Sequence, residues 1–199
     1  MSKALVWVEH DNAAIKDATL AAITAALQIG EVDLIVAGSG CAAVAEAASR
    51  IAGVATVYLA DHAAYAHALP ENVAPLIVDL MGGHDAFLAP ATSNGKNIAP
   101  RVAALLDVMQ VSDILSVEGP RTFTRPTYAG NAIATVQSSD AKMVITVRST
   151  AFARVASEGG SGSVAAVAGG GDAGLSSFIG AEIALSERPE LTSAKGIVA

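Results

Sequence analysis

From Leu34 to Ala43 the chain reads LIVAGSGCAA, an apolar run followed at once by a glycine turn. Leu34–Val36 has no alternating polar residue, which predicts a β-strand buried on both faces. The turn through Gly38 and Gly40 leads into a helical pattern from about Cys41 to Ile51. A buried strand that passes directly into a helix is the repeating unit of α/β proteins.

The same alternation extends to both sides of this unit. Further buried strands are predicted at Leu5–Val8, Val54–Leu59, Pro75–Leu80, Ala86–Ala89 and Ile114–Val117. Helices are predicted at Asp11–Leu27, in a short segment after Asp61, and at Asn97–Met109. Strands that alternate with helices predict a three-layer α/β fold, in which a mostly parallel sheet carries helices on both faces.

The pattern changes in the second half of the chain. Three strand-like runs with short joins predict an antiparallel meander, at Arg121–Tyr128, Asn131–Ser138 and Lys142–Arg148. A glycine-rich tract from 159 to 174 predicts a loop with one short strand, Val164–Val167. A last helix is predicted at Ser176–Leu185.

Composition excludes several classes of partner. The 199-residue chain has a formal net charge of −7, so nucleic acid would be repelled. Its one cysteine, Cys41, excludes an internal disulfide, and its four histidines lack the spacing of metal ligands.

No run approaches the ~20 apolar residues of a membrane span. The first residues resemble neither a signal peptide nor a transit peptide, so we expect a cytoplasmic protein.

One sequence motif has the form of a dinucleotide-binding fingerprint. Gly38, Gly40 and Ala43 fit G-x-G-x-x-A between a strand and a helix, and Asp61 ends the next strand. In that interpretation the backbone N–H groups at the helix start hold a pyrophosphate. The alternative is a tight turn in which glycine avoids steric clash. We favour the turn, because the motif follows the second strand and not the first.

A second candidate site for an anion precedes the helix at Asn97. Ser93, Asn94 and Lys96 combine free N–H groups with a cation. The alternative is a capped helix start with Ser93 or Asn97 as the cap. Together with Gly38 and Gly40, these residues would fit an alternative function, a free-standing domain that binds NAD or an adenine nucleotide. No catalytic residues and no metal ligands are predicted.

The hairpin between the first two meander strands is a candidate partner interface. Its residues are Arg125, Pro126, Tyr128, Asn131 and Ala132. Proline suits an edge strand because it lacks an N–H donor, and an exposed edge is stabilised by pairing with a partner chain. The alternative is a purely structural hairpin with a solvent-exposed arginine.

Four strings carry a family resemblance. They are RPTYAGNA at Arg125–Ala132, NGKNIAPRVAALLD at Asn94–Asp107, LSSFIG at Leu175–Gly180 and ERPELTSAK at Glu187–Lys195. In this order they closely resemble the alpha subunit of electron-transfer flavoproteins, and the likeness extends over essentially the whole chain.

The resemblance implies a heterodimer with a beta subunit. Such a complex accepts electrons on FAD from acyl-CoA and other dehydrogenases, in fatty acid β-oxidation, and passes them to a membrane quinone reductase. It implies an electron carrier and not an enzyme. The compartment would be the bacterial cytoplasm, or the mitochondrial matrix in a eukaryote.

The resemblance also implies a division of the chain. Residues 1–193 would form the N-terminal α/β domain, which resembles adenine nucleotide alpha hydrolases, and residues 194–199 would begin the linker to a FAD-binding domain that this sequence lacks. AMP would belong to the beta subunit. We therefore expect no FAD on this chain, and we expect it to act as a scaffold that docks the beta subunit.

Overall fold

A computed structural model describes residues 2–182 as two sheets and four α-helices. The strands are β1 Lys3–Trp7, β2 Glu31–Gly38, β3 Val54–Asp61, β4 Ala86–Pro90, β5 Gln110–Ile114, β6 Ser116–Gly119, β7 Thr122–Thr127, β8 Ala132–Gln137, β9 Met143–Val147 and β10 Ser163–Ala166. The helices are α1 Asp17–Leu27, α2 Ala42–Ser49, α3 Pro70–Leu80 and α4 Ser93–Leu106.

The larger sheet has seven strands in the order β10-β3-β2-β1-β4-β9-β5, and every pair in it is parallel. The chain moves outward from β1 through β2 to β3, and then crosses back to place β4 on the other side of β1. The predicted parallel α/β sheet is therefore confirmed. The order also creates a topological switch point between β1 and β4.

Helices cover both faces of this sheet, as predicted. Side chains of β1 alternate between two cores, because successive residues of a strand point to opposite faces. Val6 packs with α1 and α2, whereas Leu5 and Trp7 pack with α3 and α4. Complete burial of a large apolar side chain such as Leu5 contributes about 1.5–3 kcal/mol. The predicted three-layer arrangement is confirmed.

The smaller sheet is an antiparallel meander in the order β6-β7-β8. It confirms two of the predicted runs, but Lys142–Arg148 was assigned wrongly: this run contains β9, which lies between β4 and β5 in the parallel sheet. The third strand of the meander is β6, from the end of the predicted strand Ile114–Val117. Phe123 of β7 is fully buried in the same hydrophobic core as the inner residues of α1, and so anchors the meander to the domain.

Three local predictions also need correction. Pro75–Leu80 is the second half of α3 and not a strand, because Val73, Leu76 and Ile77 form a buried helical face. The first helix begins at Asp17 and not at Asp11. No helical turn occurs over Ser176–Glu182, where the described residues end. The string Glu187–Lys195, the boundary at residue 193 and the proposed linker 194–199 lie outside the described residues.

Candidate functional site

The carboxyl ends of β1, β2, β3 and β4 meet at the switch-point edge of the sheet. This is the edge at which α/β proteins bind their ligands. It includes the loop after β1, the turn from β2 into α2, and the start of α4. Both candidate anion sites from the sequence lie here.

The start of α2 is occupied by the carboxylate of Asp61. Its two oxygens accept hydrogen bonds from the backbone N–H groups of Gly40 and Cys41, at 2.7 and 3.1 Å. The side-chain oxygen of Asn12 accepts a third, from Ser39 N, at 3.0 Å. The N–H groups that a pyrophosphate would use are thus bonded to the protein itself.

The structure explains why glycine occupies both positions of the fingerprint. Gly38 is buried against His10 and Asn12, and a Cβ there would lie 2.7 Å from His10 Cε1 and closer still to Asn12 Oδ1. Gly40 has a φ of +67°, in the left-handed region that favours glycine. Close approach and backbone conformation account for both positions without a ligand.

The start of α4 is also occupied by a carboxylate. Thr92 is the N-cap residue, and its hydroxyl accepts a hydrogen bond from Gly95 N at 3.2 Å and donates one to Glu9 Oε1. Burial raises the pKa of Glu9, although the Thr92 hydroxyl, the Gly95 N–H and the charge of Lys16 all act to lower it. A carboxylate from the end of β1 therefore completes the cap of a helix that follows β4.

The structure places Ser93, Asn94 and Lys96 on the exposed first turn of α4. The cap is Thr92, not Ser93 or Asn97 as predicted, because Thr92 is the last residue with extended backbone. α4 packs on the face of the sheet opposite to α2. Gly38 and Gly40 therefore do not share one site with Ser93 and Lys96.

A dinucleotide does not fit either helix start as the two are built. Each already holds a carboxylate of the chain, and a pyrophosphate would add negative charge beside it. The expectation that Gly38–Ala43 holds no dinucleotide remains a prediction, and this geometry supports it.

A polar cavity of about 300 Å³ lies between the loop after β1, the start of α4 and the loop after β3. Sequence reasoning missed it, because its walls come from separate loops and strand ends. Its lining includes Trp7, Glu9, His10, Asn12, Tyr65, His67 and Asn94. Burial lowers the pKa of His10, so its ring is uncharged near neutral pH. The only available sequence signal was a run of polar residues directly after a buried strand.

The residues of the predicted partner interface fall into two groups in the structure, one bonded within the domain and one exposed. The guanidinium of Arg125 bonds within the chain: it donates to the Ser112 carbonyl at 2.9 Å and to the Ser112 hydroxyl at 2.7 Å. It therefore braces the meander against β5. Pro126 lies in β7, the middle strand of the meander, beyond the last residue paired with β6. β7 is thus the middle strand of the meander and not its edge strand, but Pro126 itself has no β6 residue opposite it.

The remaining interface residues lie at the exposed tip and edge of the meander. Tyr128 is 85% exposed at the turn, and Asn131 bonds to its carbonyl through both its backbone N–H and its side chain. Ala132 and Ile133 begin β8, and Ile133 is 58% exposed. No described strand pairs with the outer side of β8. Whether this edge binds a partner remains a prediction.

Residues 2–182 show neither a metal-binding cluster nor a membrane-spanning helix. This part of the chain contains no group of three or more histidine, cysteine or acidic side chains arranged to hold a metal ion. None of its helices combines the length and apolar character needed to cross a bilayer.

Comparison with known proteins points to one family. Residues 4–169 match the family described as "Electron transfer flavoprotein domain". Over 195 residues, which are 98% of this chain, it is 60% identical to the electron transfer flavoprotein subunit alpha of Pseudomonas aeruginosa and 59% identical to that of Bradyrhizobium diazoefficiens. It is also 42% identical, over 99% of its length, to a mitochondrial subunit alpha of Dictyostelium discoideum.

The chain spans 63%, 62% and 60% of the length of these three relatives. The similarity covers nearly all of the chain but leaves more than a third of each relative unmatched. Activities that belong to the whole relative therefore do not pass directly to this sequence.

Proposed function

Because the chain belongs to the electron transfer flavoprotein domain family, we propose that it serves as the alpha-subunit scaffold of an electron carrier and docks a beta subunit. The carrier would accept electrons from acyl-CoA dehydrogenases and other dehydrogenases, and would deliver them to a membrane quinone reductase. The segment itself is not an enzyme. In a bacterium it would work in the cytoplasm, and in a eukaryote in the mitochondrial matrix.

The observation that carries the docking proposal is the exposed apolar edge of the meander. Ile133 and Tyr128 expose large apolar surfaces close together on one short hairpin. The β8 backbone beside them has an outer side that no described strand pairs with, and such an edge invites pairing with another chain. Permanent interfaces between subunits are large and apolar. Edge and side chains together form a surface suited to a permanent partner.

The hairpin is also held rigidly. Phe123 is buried in the main core, and the two hydrogen bonds from Arg125 to Ser112 fix β7 to the end of the parallel sheet. A surface that is already ordered loses less entropy when it binds. Arg125 therefore contributes to docking by positioning the hairpin and not by touching the partner.

FAD would be bound by the full-length protein, where it would supply the reversible uptake and release of electrons. This segment's residues contribute structure: Asp61 and Glu9 fill the two helix starts that otherwise attract phosphate groups. The chain mixed with FAD and passed through gel filtration should elute without flavin absorbance. A flavin band that remains with the chain would contradict this assignment.

The docking surface is tested by co-purification with the beta subunit. Ile133→Lys and Ala132→Asp each place a charge on the β8 edge, and an ion left unpaired at an interface is costly. Two matched controls make the same changes at exposed positions elsewhere: Leu105→Lys, where the leucine is 53% exposed on α4, and Ala43→Asp on α2.

We expect the two edge variants to lose most of the recovered beta subunit, while both controls retain it. Circular dichroism should show all four variants folded, because every substituted side chain is exposed. Equal recovery from the folded edge variants and the controls would show that the partner binds elsewhere.

A further inference from the structure

The turn between β7 and β8 has a left-handed backbone at two successive residues that are not glycine. Tyr128 has a φ of +49° and Ala129 a φ of +55°, and Gly130 follows with a φ of +91°. Within residues 2–182, no other two adjacent non-glycine residues share a positive φ. In this conformation Cβ approaches the following carbonyl oxygen, which costs free energy. A bulky residue such as tyrosine rarely adopts it.

The hairpin itself does not require a tyrosine at this point. Left-handed residues suit a tight hairpin, because their backbone twist matches the twist of the two strands. Asparagine, aspartate and glycine adopt this conformation most easily. The turn has glycine at residue 130 but tyrosine at residue 128. Local geometry alone therefore predicts asparagine or glycine in place of Tyr128.

The ring of Tyr128 gains little from the rest of the domain. It is 85% exposed, more than any other aromatic side chain in the described part of the chain. The hydrogen bonds at this residue go to its backbone carbonyl, which accepts from the N–H of Asn131 at 3.2 Å and from its side chain at 2.9 Å. Burial of the ring therefore does not offset the strain of the backbone in the free chain.

Strained residues are concentrated at sites that bind or switch. We propose that Tyr128 is the anchor residue of the hairpin, and that its ring enters an uncharged apolar pocket of the beta subunit. Tyrosine often dominates the energy of an interface, because it buries a large rigid ring at little entropic cost. This assignment rests on the docking of a beta subunit by the same hairpin, and names the residue and the chemistry that hold it.

The surroundings of Tyr128 define the chemistry of that pocket. No charged residue occurs between Thr127 and Ser139, although the chain as a whole carries a net charge of −7. The next large exposed side chain, Ile133, is aliphatic. A charged pocket would find no opposite charge here, so the cost of removing its charges from water would not be offset. The phenol hydroxyl requires one polar group at the rim of the pocket.

One substitution should preserve the fold and damage binding. Tyr128→Asn introduces a residue that tolerates positive φ, so the Tm of the free chain should equal or exceed that of the wild type. Its affinity for the purified beta subunit, measured by titration calorimetry, should fall at least about tenfold. A lower Tm would show that the ring is present to stabilise the hairpin. An unchanged affinity would show that the ring is not the anchor, and either result would overturn the assignment.

Two variants in the same turn separate the ring from the hydroxyl and from the backbone. Tyr128→Phe keeps the ring and should weaken binding only about threefold; a loss as large as that of Tyr128→Asn would exclude an apolar pocket. Ala129→Gly relieves the neighbouring left-handed residue and removes one exposed methyl group, and it should leave the affinity unchanged. A loss as large for Ala129→Gly would show that the shape of the turn, and not the ring, determines binding.

The edge variant Ile133→Lys distinguishes the anchor from the docking surface. If Ile133→Lys loses the beta subunit while Tyr128→Asn retains it, the β8 edge docks the partner and Tyr128 is not its anchor. If both retain it, the beta subunit binds elsewhere. Gel filtration of the chain alone tests a second copy as the occupant, and we expect a monomer. A dimer that Tyr128→Asn dissociates would assign the ring to self-association and overturn the pocket in the beta subunit.

Discussion

The Asp61 carboxylate accepts a hydrogen bond from the backbone N–H of Gly40 at 2.7 Å, at the start of α2. The second oxygen accepts from Cys41 N, so one side chain satisfies two N–H groups that have no partner within the helix. A carboxylate at a helix N-terminus is also favoured by the helix dipole. In nucleotide-binding proteins with a doubly wound sheet, a phosphate accepts the corresponding hydrogen bonds at the helix start.

Removal of this cap should destabilise the fold. Asp61→Ala leaves the N–H groups of Gly40 and Cys41 to water, and should lower the free energy of unfolding by about 1–2 kcal/mol, the range for loss of a helix cap. Asp61→Asn keeps one acceptor and should cost less than Asp61→Ala. Urea denaturation measures both. An unchanged midpoint for Asp61→Ala would show that the cap contributes nothing.

The first turn of α4 should not tolerate a side chain at Gly95. A Cβ there would collide with the backbone carbonyl oxygen of Pro90, which cannot rotate away. Gly95→Ala should therefore cost about 1–3 kcal/mol, as overpacking does in other cores. Gly82→Ala is the control: a Cβ at Gly82 meets nothing within 4 Å, and its effect should stay within about 0.5 kcal/mol. Equal loss of stability for both variants would contradict the packing argument.

A buried hydrogen bond between two side chains joins β2 to the loop before β4. His84 Nε2 lies 3.0 Å from Asp33 Oδ2, and its other ring nitrogen lies 2.8 Å from the Leu80 carbonyl oxygen. Asp33→Ala leaves the buried His84 Nε2 without its partner, and should lower the free energy of unfolding by about 1–3 kcal/mol. The exposed Asp79→Ala, on α3, should change it by less than about 0.5 kcal/mol.

A double-mutant cycle tests whether the pair acts as a unit. If it does, the loss for Asp33→Ala with His84→Ala should be smaller than the sum of the two single losses. Additive losses would show that the two side chains stabilise the fold independently.

Glu9 should make stability depend on pH. Its pKa is raised above the ordinary 4.5 by burial, so the folded state holds the proton to higher pH than the unfolded state does. The resulting stabilisation is complete below about pH 4.5, and is lost as the pH rises through the raised pKa. Glu9→Gln cannot ionise, so the advantage of the variant over the wild type should grow over this window. Thermal unfolding between pH 4 and pH 8 measures it, and parallel curves for the two proteins would refute the assignment.

The brace between the meander and β5 should require arginine. Arg125→Lys cannot reach both the carbonyl and the hydroxyl of Ser112, and should cost about 1.5 kcal/mol, the low end for hydrogen bonds of charged groups. Arg154→Lys is the control, because Arg154 forms an exposed pair with Asp17 that contributes little. Faster hydrogen exchange in β7 and β8 should accompany the first change and not the second.

Much of the parallel sheet was predictable, because its inner strands read as uninterrupted apolar runs. Uninterrupted apolar strands are typical of sheets that are covered on both faces. Three runs have this pattern: Leu5–Val8, Leu34–Val36 and Ala86–Ala89. Lys142–Arg148 was correctly predicted as a strand but was assigned to the wrong sheet. The sequence of a strand does not reveal which other strand it pairs with. Pro75–Leu80 is also rich in apolar residues, but its helical form depends on packing against α4 and the sheet.

The sequence by itself determined the layered α/β class, the hairpin at Tyr128 and the family. All three follow from residues that are close together in the sequence, so they do not depend on contacts between distant parts of the chain. Only the tertiary structure decided what occupies the switch-point edge. Glu9 reaches the cap of α4 across 83 residues, and Asp61 reaches the start of α2 across 21. Such contacts exist only after the parallel strands have been ordered, because the strand order brings the loops together.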